Sequence, residues 1–491
     1  MARVAGIDSS TSATKVEVRD ADTGRLWGSG RRPHPPTRPP RSEQDPGAWW
    51  AALVQAWHDA GRYDVVAMSV AGQQHGMVVL DDADQPLRPA KLWNDTEAAP
   101  DAAALVDTLG SQEWADRCGS VPVAAFTIAK LAWLQRVEPD NFARLRKILL
   151  PHDWLTWRLT GRIVTDRGDA SGTGYWSPRE GRWRTDLLRL LTNDGAVDWI
   201  ERLPTVLAPN EAAGEVSVEA ALPLNLEAGS VLVGPGTGDN MAAALGAGLR
   251  PGDVLVSIGT SGTVMTVSDH PTADASGSVA GFADATGRWL PLVCTLNATK
   301  VTDAVAGWLG IADHDAFDAL ALSARPGAGG VVCVPWFDGE RTPNRPNASG
   351  AFTGLRSDTT SAQLARAAFE GVVCGLLDGL DALTSLGAGP GGGRLVLVGG
   401  GARSAAYRQV LADLTRQPVV VLPADVEPVA LGACIQAAAI HHAQPPEVVA
   451  AAWGATNDDG DRNTAPDDSV DAAAIRIAYA AAADATGGSA D

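Results

Sequence analysis

The sequence predicts an α/β protein built from two similar domains. An apolar strand, a short turn rich in Ser, Thr and Gly, and an apolar return strand occur at residues 3–18 and again at residues 254–267. A strand–helix–strand unit follows at residues 394–422. The chain has 491 residues, which is more than one hydrophobic core usually serves and suggests two or three domains. We therefore expect a domain boundary near residue 250.

That boundary divides the chain into three predicted parts. Residues 1–249 form an N-terminal domain and residues 250–450 form a C-terminal domain. Residues 451–491 are acidic and rich in Ala, which favours a poorly packed C-terminal helix or tail. The boundary coincides with Arg250-Pro251-Gly252, a turn signal.

The N-terminal domain opens with a predicted hairpin. Arg3 to Ile7 form its first strand, Lys15 to Val18 form its return strand, and small polar residues at 8–14 form the turn between them. The Pro-rich segment 33–46 predicts an exposed loop with polyproline character.

Further elements of this domain follow from apolar runs. Residues 65–70 predict a strand, AGQQHG predicts a turn, and the apolar run 77–80 comes after it. Residues 125–160 predict helices whose Trp side chains fill the core. Residues 231–240, VLVGPGTGDN, predict a strand and a glycine-rich turn, and a helix of small residues follows them.

The C-terminal domain begins with the second predicted hairpin. Val254 to Ile258 form one strand, Gly259 to Gly262 the turn, and Thr263 to Val267 the return strand. At residues 394–422, RLVLVGG predicts a buried strand, GARS a turn with Ser404 as helix N-cap, and PVVVL a second strand. The helix between them has apolar residues at helical spacing, namely Tyr407, Val410, Leu411 and Leu414.

Composition excludes several classes of protein. The 39 Lys and Arg residues against 58 Asp and Glu residues give a net charge of −19, which opposes nucleic-acid binding. No run of about 18 apolar residues predicts a membrane helix, and the N-terminus lacks the pattern of a signal peptide. We therefore expect a soluble, cytosolic protein. The cysteines are odd in number and form no CxxC pair, which favours buried thiols over a zinc or redox site: Cys118, Cys294, Cys333, Cys374 and Cys434.

Three turns rich in glycine and hydroxyl groups follow predicted strands. Turns with little side-chain bulk let backbone N–H groups approach a phosphate, as a nucleotide site requires. None has the P-loop or the GxGxxG pattern. Each turn alone is also compatible with an ordinary tight hairpin, but three in one chain favour a nucleotide-binding protein.

Charged residues adjoin these turns. Asp8 ends the first strand, where a carboxylate suits Mg²⁺ beside a polyphosphate, although a turn residue bonding its own backbone is the alternative. Lys15 would neutralise phosphate charge. Asp239 precedes a helix, whose dipole favours an ionised carboxylate able to accept a proton. An ordinary N-cap is the alternative, and the residue type alone favours it.

Two polar clusters suit a small ligand. His75 lies at a strand end in the sequence AGQQHG, where ligand-binding side chains are common. Trp93-Asn94-Asp95 combines an aromatic ring with hydrogen-bonding groups, which suits a sugar. A capped helix start explains the second cluster almost as well. The other histidines lack such a context.

The order of these motifs resembles a known family. GIDSSTSATK, SVAGQQHGMVVLD, RPAKLWND, LLPHDWLTWRLTG, GTGDN, SIGTSG, GERTP and VGGGARS occur in this order. Together they resemble the FGGY carbohydrate kinases over about residues 3 to 440. Within that family, GQQHG, LWND and GERTP are most similar to kinases of xylulose.

The resemblance implies a fold and a set of site residues. The fold is two ribonuclease-H-like, actin-type ATPase domains flanking a catalytic cleft. Asp239 matches the catalytic base, and Asp8 matches an aspartate needed for activity near Mg²⁺ and phosphate. Gln74, His75 and Asn240 match sugar contacts. The positions that match ATP-binding turns are Ser12 and Lys15, then Gly259, Thr260 and Ser261, then Gly400, Gly401 and Ala402. The family usually has Gly where this chain has Ser10.

We therefore expect ATP-dependent phosphorylation of D-xylulose at its terminal hydroxyl, with Mg²⁺ and with Asp239 as general base. A kinase for ribulose, gluconate or glycerol is the alternative within the family. A non-catalytic actin-like protein that binds ATP is the alternative outside it. The expected partners are the sugar and ATP. A homodimer is also expected, because this assembly is common among members of the family that the chain resembles.

Overall fold

A computed structural model describes residues 1–61, 63–192, 197–423, 426–455 and 463–486. The chain forms two compact units, and each contains segments from distant parts of the sequence. The first unit comprises residues 1–249, 269–290 and 425–457, and the second comprises residues 250–268, 291–424 and 458–491.

The first unit contains a seven-stranded sheet. Its first strand, Arg3–Ser9, pairs antiparallel with Ala13–Asp20 and parallel with Ala67–Gly72. The predicted N-terminal hairpin is therefore confirmed, with longer strands and a shorter turn. The order of six strands is Gly214–Glu215, Leu232–Val233, Ala67–Gly72, Arg3–Ser9, Ala13–Asp20 and Leu26–Pro33, and Thr237–Gly238 also pairs with Ala67–Gly72.

Helix Pro46–Ala60 covers this sheet on the side of its second and third strands. Asp45 caps the helix, because its side chain accepts a hydrogen bond from the Gly47 N–H, and Pro46 is well suited to the first turn. The helix buries Trp49, Leu53 and other apolar side chains in the core. The Pro-rich segment before it is largely a loop, although its Ser42 and His34 side chains are buried.

The rest of the first unit consists of helices and short strands. The predicted helical region 125–160 contains three helices, but the strand Lys147–Leu149 interrupts it and pairs with Val78–Leu80. The short strands are Glu43–Gln44, Val78–Leu80, Ala90–Lys91, Lys147–Leu149, Val164–Asp166, Trp176–Ser177, Arg182–Trp183, Thr205–Leu207 and Ala280–Ala283. The other helices are Ala99–Leu109, Ser111–Cys118, Thr127–Val137, Pro139–Arg144, Pro151–Thr160, Arg167–Ala170, Thr185–Leu188, Val218–Leu224, Asp239–Gly246, Pro428–His442 and Pro446–Ala452, with 3₁₀ turns at Ser171–Thr173, Arg189–Leu191 and Ile200–Arg202.

Helix Pro428–His442 belongs to the first unit, although the predicted boundary assigned it to the C-terminal domain. It packs on helix Asp239–Gly246 and on strand Arg3–Ser9. A Cβ at Gly432 would overlap the Ala242 carbonyl, so the two helices approach closely at a glycine. The functional division at residue 250 stays a prediction.

The second unit also has a central sheet. Strand Val254–Ile258 pairs antiparallel with Gly262–Thr266 and parallel with Leu395–Val398, so the second predicted hairpin is confirmed. Leu395–Val398, helix Ala405–Thr415 and the parallel strand Val419–Val421 form the predicted strand–helix–strand unit. Other elements are strands Trp289–Thr295, Val332–Val334 and Ala351–Thr353, helices Thr299–Trp308, His314–Ser323, Ser361–Ser385 and Ala472–Thr486, and 3₁₀ turns Ala328–Gly330 and Gly400–Arg403.

The C-terminal helix is better packed than the sequence suggested. Helix Ala472–Thr486 buries Tyr479, Ala482 and Ala483 against other parts of the second unit. The aromatic ring supplies the apolar contact that the Ala-rich composition alone does not predict. Residues 456–462 and 487–491 of the predicted tail lie outside the described residues. Among the residues that are described, no helix is long and apolar enough to cross a membrane.

Candidate active site

The two predicted catalytic residues, Asp8 and Asp239, lie where strands end at the same edge of the first sheet. Asp8 pairs in register with Ala71, and Thr237 pairs with Ala71 from the other side. Gly238 pairs with Gly72, and Asp239 comes next in the chain. The parallel pairing therefore brings Asp8, the AGQQHG turn and Asp239 together, although they are far apart in sequence.

Asp239 is the first residue of helix Asp239–Gly246, and Gly238 is its N-cap. The N-cap alternative is therefore wrong. The expectation of a readily ionised carboxylate is also wrong, because burial, Asp8 and Asp169 raise the pKa of Asp239 to about 8. These effects exceed the stabilisation that backbone N–H groups and the helix dipole give the charged form. A group with this pKa accepts a proton more readily than an ordinary aspartate does.

Asp8 is buried at the end of the first strand. The Ser10 hydroxyl donates to its Oδ1, and Lys15 Nζ lies 3.7 Å from its Oδ2. Burial raises the pKa of Asp8, and Lys15 opposes that effect. Ser10 does not adopt a positive φ, so serine stands at this family glycine position without backbone strain. Lys15 also donates to Glu427 Oε2 at 2.7 Å.

Three of the predicted sugar residues, Gln74, His75 and Asn240, lie in segments that meet near Asp239. Asn240 Nδ2 donates to Gln74 Oε1 at 2.7 Å, and the buried Gln74 Nε2 has no hydrogen-bond partner among the residues that the structure describes. His75 has a φ of 64°, and its ring packs on Phe126 and Phe282. The amides of Gln74 and Asn240 are thus held beside the Asp239 carboxyl group, and His75 follows Gln74 in the chain.

The His75 ring has a defined orientation. Nδ1 lies 2.7 Å from the Gly172 carbonyl oxygen. A carbonyl only accepts hydrogen bonds, so Nδ1 carries the proton. Thr127 Oγ1 and Lys130 Nζ donate to the His75 carbonyl at 3.2 Å and 3.1 Å. These contacts fix both the backbone and the side chain of His75.

Trp93 and Asp95 have different surroundings. Trp93 Nε1 donates to Thr11 Oγ1 at 2.8 Å, which joins it to the first predicted phosphate turn. Asp95 is buried and pairs with Lys91 Nζ at 2.7 Å, and it also accepts from the Ser42 N–H. Both carboxylate oxygens of Asp95 already accept hydrogen bonds from backbone N–H groups of the protein. A contact between Asp95 and the sugar stays a prediction.

The carboxylates around Asp95 do not suit a metal ion. Glu43, Asp95 and Glu97 lie close enough together to share one. Lys91 Nζ, however, lies 3.2 Å, 2.7 Å and 2.5 Å from these carboxylates, in that order. The ammonium group is already the cation of this cluster.

The predicted ATP-binding turns of the second unit are neighbours. The turn Gly259–Ser261 follows strand Val254–Ile258, and the turn Gly400–Ala402 follows the parallel strand Leu395–Val398 beside it. The Gly259 carbonyl accepts from the Thr299 N–H, which begins helix Thr299–Trp308. Thr260 and Gly400 are exposed. In the first unit, Ser12 is likewise exposed at the tip of its hairpin.

Comparison with known proteins identifies the family. Residues 3–246 match the N-terminal domain, and residues 254–440 the C-terminal domain, of the FGGY family of carbohydrate kinases. The chain belongs to this family. The expected fold of two ribonuclease-H-like domains and the expected class, an ATP-dependent carbohydrate kinase, are both confirmed.

Individual relatives agree with this assignment. A curated "Xylulose kinase" of Streptomyces rubiginosus is 46% identical over 453 residues, which cover 92% of this chain and 90% of the relative. The "Xylulose kinase" of Escherichia coli K12 is 36% identical over 84% of each chain. The crystal structure of xylulose kinase from Bifidobacterium adolescentis has a TM-score of 0.85 and 41% identity, covering 98% of this kinase and 99% of that chain.

Sequence reasoning missed several polar groups of this kinase. Gln73 is completely buried, and neither the nitrogen nor the oxygen of its amide group has a hydrogen-bond partner within the described part of the chain. His152 is completely buried among Asp153, Asp166 and Asp169. The repeated glutamine in AGQQHG and the His-Asp pair in LLPHDW were the available signals. Neither shows burial, which depends on distant segments.

Proposed function

We propose that this kinase transfers the γ-phosphoryl group of ATP to the 5-hydroxyl of D-xylulose and forms D-xylulose 5-phosphate. The placement of Asp239 beside Gln74, His75 and Asn240 carries the proposal, because it combines a proton acceptor with hydrogen-bonding groups for a polyhydroxy substrate. The relatives whose printed name is xylulose kinase support the choice of sugar.

Asp239 would act as the general base. It accepts the proton of the 5-hydroxyl as that oxygen attacks the γ-phosphorus, and the bond between phosphorus and ADP breaks. Transfer of this kind depends mainly on positioning and charge stabilisation. A pKa of about 8 places Asp239 near neutral pH, where a general base works most effectively.

The polar side chains beside Asp239 would bind the sugar. Gln74 Nε2 would donate to a sugar oxygen, which satisfies its hydrogen-bonding capacity. His75 Nε2 would accept from a hydroxyl, because Nδ1 carries the ring proton. Trp93 offers an apolar ring face for the carbon skeleton.

Asp8 would hold Mg²⁺. Its carboxylate is a hard oxygen donor, as this ion prefers, and its Oδ2 lies beyond hydrogen-bond distance from Lys15 Nζ at 3.7 Å. Burial opposes the charged form of Asp8, and a nearby cation would offset that effect. When bound, the ion supplies neutralisation of phosphate charge. Ser10 orients the carboxylate through its hydroxyl group.

The predicted turns would bind ATP. Lys15 would pair with phosphate oxygens in competition with Glu427, and Ser12 would add a hydroxyl contact. In the second unit, Thr260 and the backbone of Gly259–Ser261 would contact phosphates, and Gly400–Ala402 would leave space for adenosine. The cytosolic location and the homodimer stay predictions of the sequence.

A panel of sugars in a coupled ADP-release assay tests the proposal. D-xylulose should give the highest kcat/KM among xylulose, ribulose, gluconate and glycerol. Asp239→Asn should bind xylulose nearly normally yet lose about two orders of magnitude or more in kcat. Asp107→Asn is the control, because Asp107 is exposed on helix Ala99–Leu109. A preference for another substrate, or near wild-type turnover by Asp239→Asn, would refute the proposal.

A further inference from the structure

His152 occupies a completely buried position at the start of helix Pro151–Thr160. Its Nδ1 lies 2.8 Å from Asp169 Oδ2. Its Nε2 lies 3.1 Å from Asp153 Oδ1 and 3.9 Å from Asp166 Oδ1. One imidazole is therefore surrounded by three carboxyl groups in the interior of the first unit.

The surrounding charges favour the imidazolium form. Burial opposes a positive ring, but Asp153 and Asp169 together raise the pKa of His152 to about 9. Burial also raises the pKa of Asp153 to about 7 and raises that of Asp169. A cation here offsets negative charge that would otherwise be costly to bury. The protonated ring also has two N–H donors, so both ring sides can interact with carboxylates.

The carboxylates of this cluster reach two segments of the proposed active site. The backbone N–H of His75 lies near enough to Asp169 to lower the pKa of that carboxyl group, and His75 has the left-handed φ of 64°. A non-glycine residue keeps such a conformation only when neighbouring groups hold it. Asp166 Oδ2 accepts from Thr237 Oγ1 at 2.7 Å, two residues before Asp239.

His152 also packs directly on the backbone of both segments, with its ring at Gly236 and its Cβ at Gly72. Gly236 has a φ of 78°, and a Cβ there would overlap His152 Cδ2. A Cβ on Gly72 would lie 2.9 Å from His152 Cβ. His152 therefore contacts the end of the strand that leads to His75 and the turn that leads to Asp239.

We propose that His152 is a positioning residue, an imidazolium that binds Asp169 and holds the sugar-contacting segment at His75 in register with the turn that carries Asp239. It touches neither substrate. The proposal rests on the roles that the proposed function gives to Asp239 and His75. It assigns a purpose to a cluster that the sequence motifs left unexplained.

A double-mutant cycle tests this role. His152→Gln removes the charge, Asp169→Asn removes its partner, and the double variant removes both. Each single variant should lower kcat and raise the KM for xylulose, with kcat/KM reduced about tenfold or more by the misplaced groups. The KM for ATP should stay within about twofold. If His152 acts through Asp169, the double variant should be no worse than His152→Gln alone.

The control is His314→Gln, because His314 is exposed at the start of a helix in the second unit, and it should match the wild type. If His152→Gln fails to fold, Asp169→Asn and Thr237→Val carry the test, since each removes one polar link with little change in shape. Wild-type values of kcat and of the KM for sugar in the folded variants would overturn the proposal. Additive losses of kcat/KM in the double-mutant cycle would overturn it as well.

The two proposals fail in different ways. The sugar panel with wild-type enzyme tests the substrate and does not involve His152. If another sugar proves to be the substrate, the same cycle is measured with that sugar. If Asp239→Asn keeps normal turnover while the His152 cycle behaves as expected, the assignment of Asp239 as general base is wrong and the positioning role of His152 remains.

Discussion

The neutral substitution Asp239→Asn should stabilise the protein while it lowers kcat by about two orders of magnitude or more. Burial, Asp8 and Asp169 raise the pKa of Asp239 from 3.8 to about 8, so the folded state binds its proton much more tightly than the unfolded state does. At neutral pH the unfolded carboxyl is ionised and the folded one is protonated. This difference penalises folding, and an amide has no such penalty.

The size of the effect follows from the pKa difference. Between pH 3.8 and pH 7 the penalty on the free energy of folding is at most about 4 kcal/mol, because each pH unit contributes about 1.4 kcal/mol. Asp239 is only partly buried, and solvent relaxation reduces the penalty. We expect Asp239→Asn to gain on the order of 1–2 kcal/mol, or about 1.5–3 °C in Tm for a unit of this size.

The pH dependence gives the sharper test. The unfolded carboxyl ionises near pH 4, while the folded one keeps its proton until about pH 8. The stability that the proton provides is therefore lost progressively as pH rises from about 4 to 8, and it changes little above that. The advantage of Asp239→Asn should be small at pH 5 and near its maximum at pH 8.5.

Thermal and urea unfolding at both pH values measure this difference. Asp107→Asn should show no comparable pH-dependent gain, because Asp107 is exposed. Destabilisation by Asp239→Asn at pH 8.5, or a gain that is larger at pH 5, would refute the electrostatic account of this site.

Two further predictions concern activity, and a third concerns stability. The kcat/KM for sugar should rise about tenfold between pH 7 and pH 9 as Asp239 loses its proton; a pH–rate profile without a rise near pH 8 would contradict this. His75→Ala should raise the KM for sugar and leave the KM for ATP unchanged. Steady-state kinetics measures both constants, and a rise in the KM for ATP alone would show that His75 does not contact the sugar. Gly401→Ala should lose about 1–3 kcal/mol of stability, because its Cβ would overlap Ile258 Cγ2. Gly400→Ala is the matched control, since no atom lies within 4 Å of its added Cβ, and calorimetry that finds equal losses would contradict the packing argument.

Much of the fold was predictable because its signals are local. Apolar runs separated by small polar turns predicted both hairpins, and the helical spacing of Tyr407, Val410 and Leu411 predicted a buried helix face. The strand Lys147–Leu149 was missed because a strand of three residues between helices resembles a helix as much as a strand.

The sequence by itself determined which residues were candidates for chemistry. Asp8, Gln74, His75 and Asp239 stand where strands end, and small residues around them leave the backbone accessible. The family motifs in order added the class of enzyme. These are properties of short segments and of their order, so they can be found without coordinates.

Only the tertiary structure decided the electrostatics of the site. Asp239 has a raised pKa because burial, Asp8 and Asp169 act on it from other segments, whereas its own helix predicts the opposite. His152 is significant because three carboxyl groups surround it in space. Helix Pro428–His442 joins the first unit through packing between distant parts of the chain. Burial and charge interactions depend on spatial neighbours, and spatial neighbours are set by the fold as a whole.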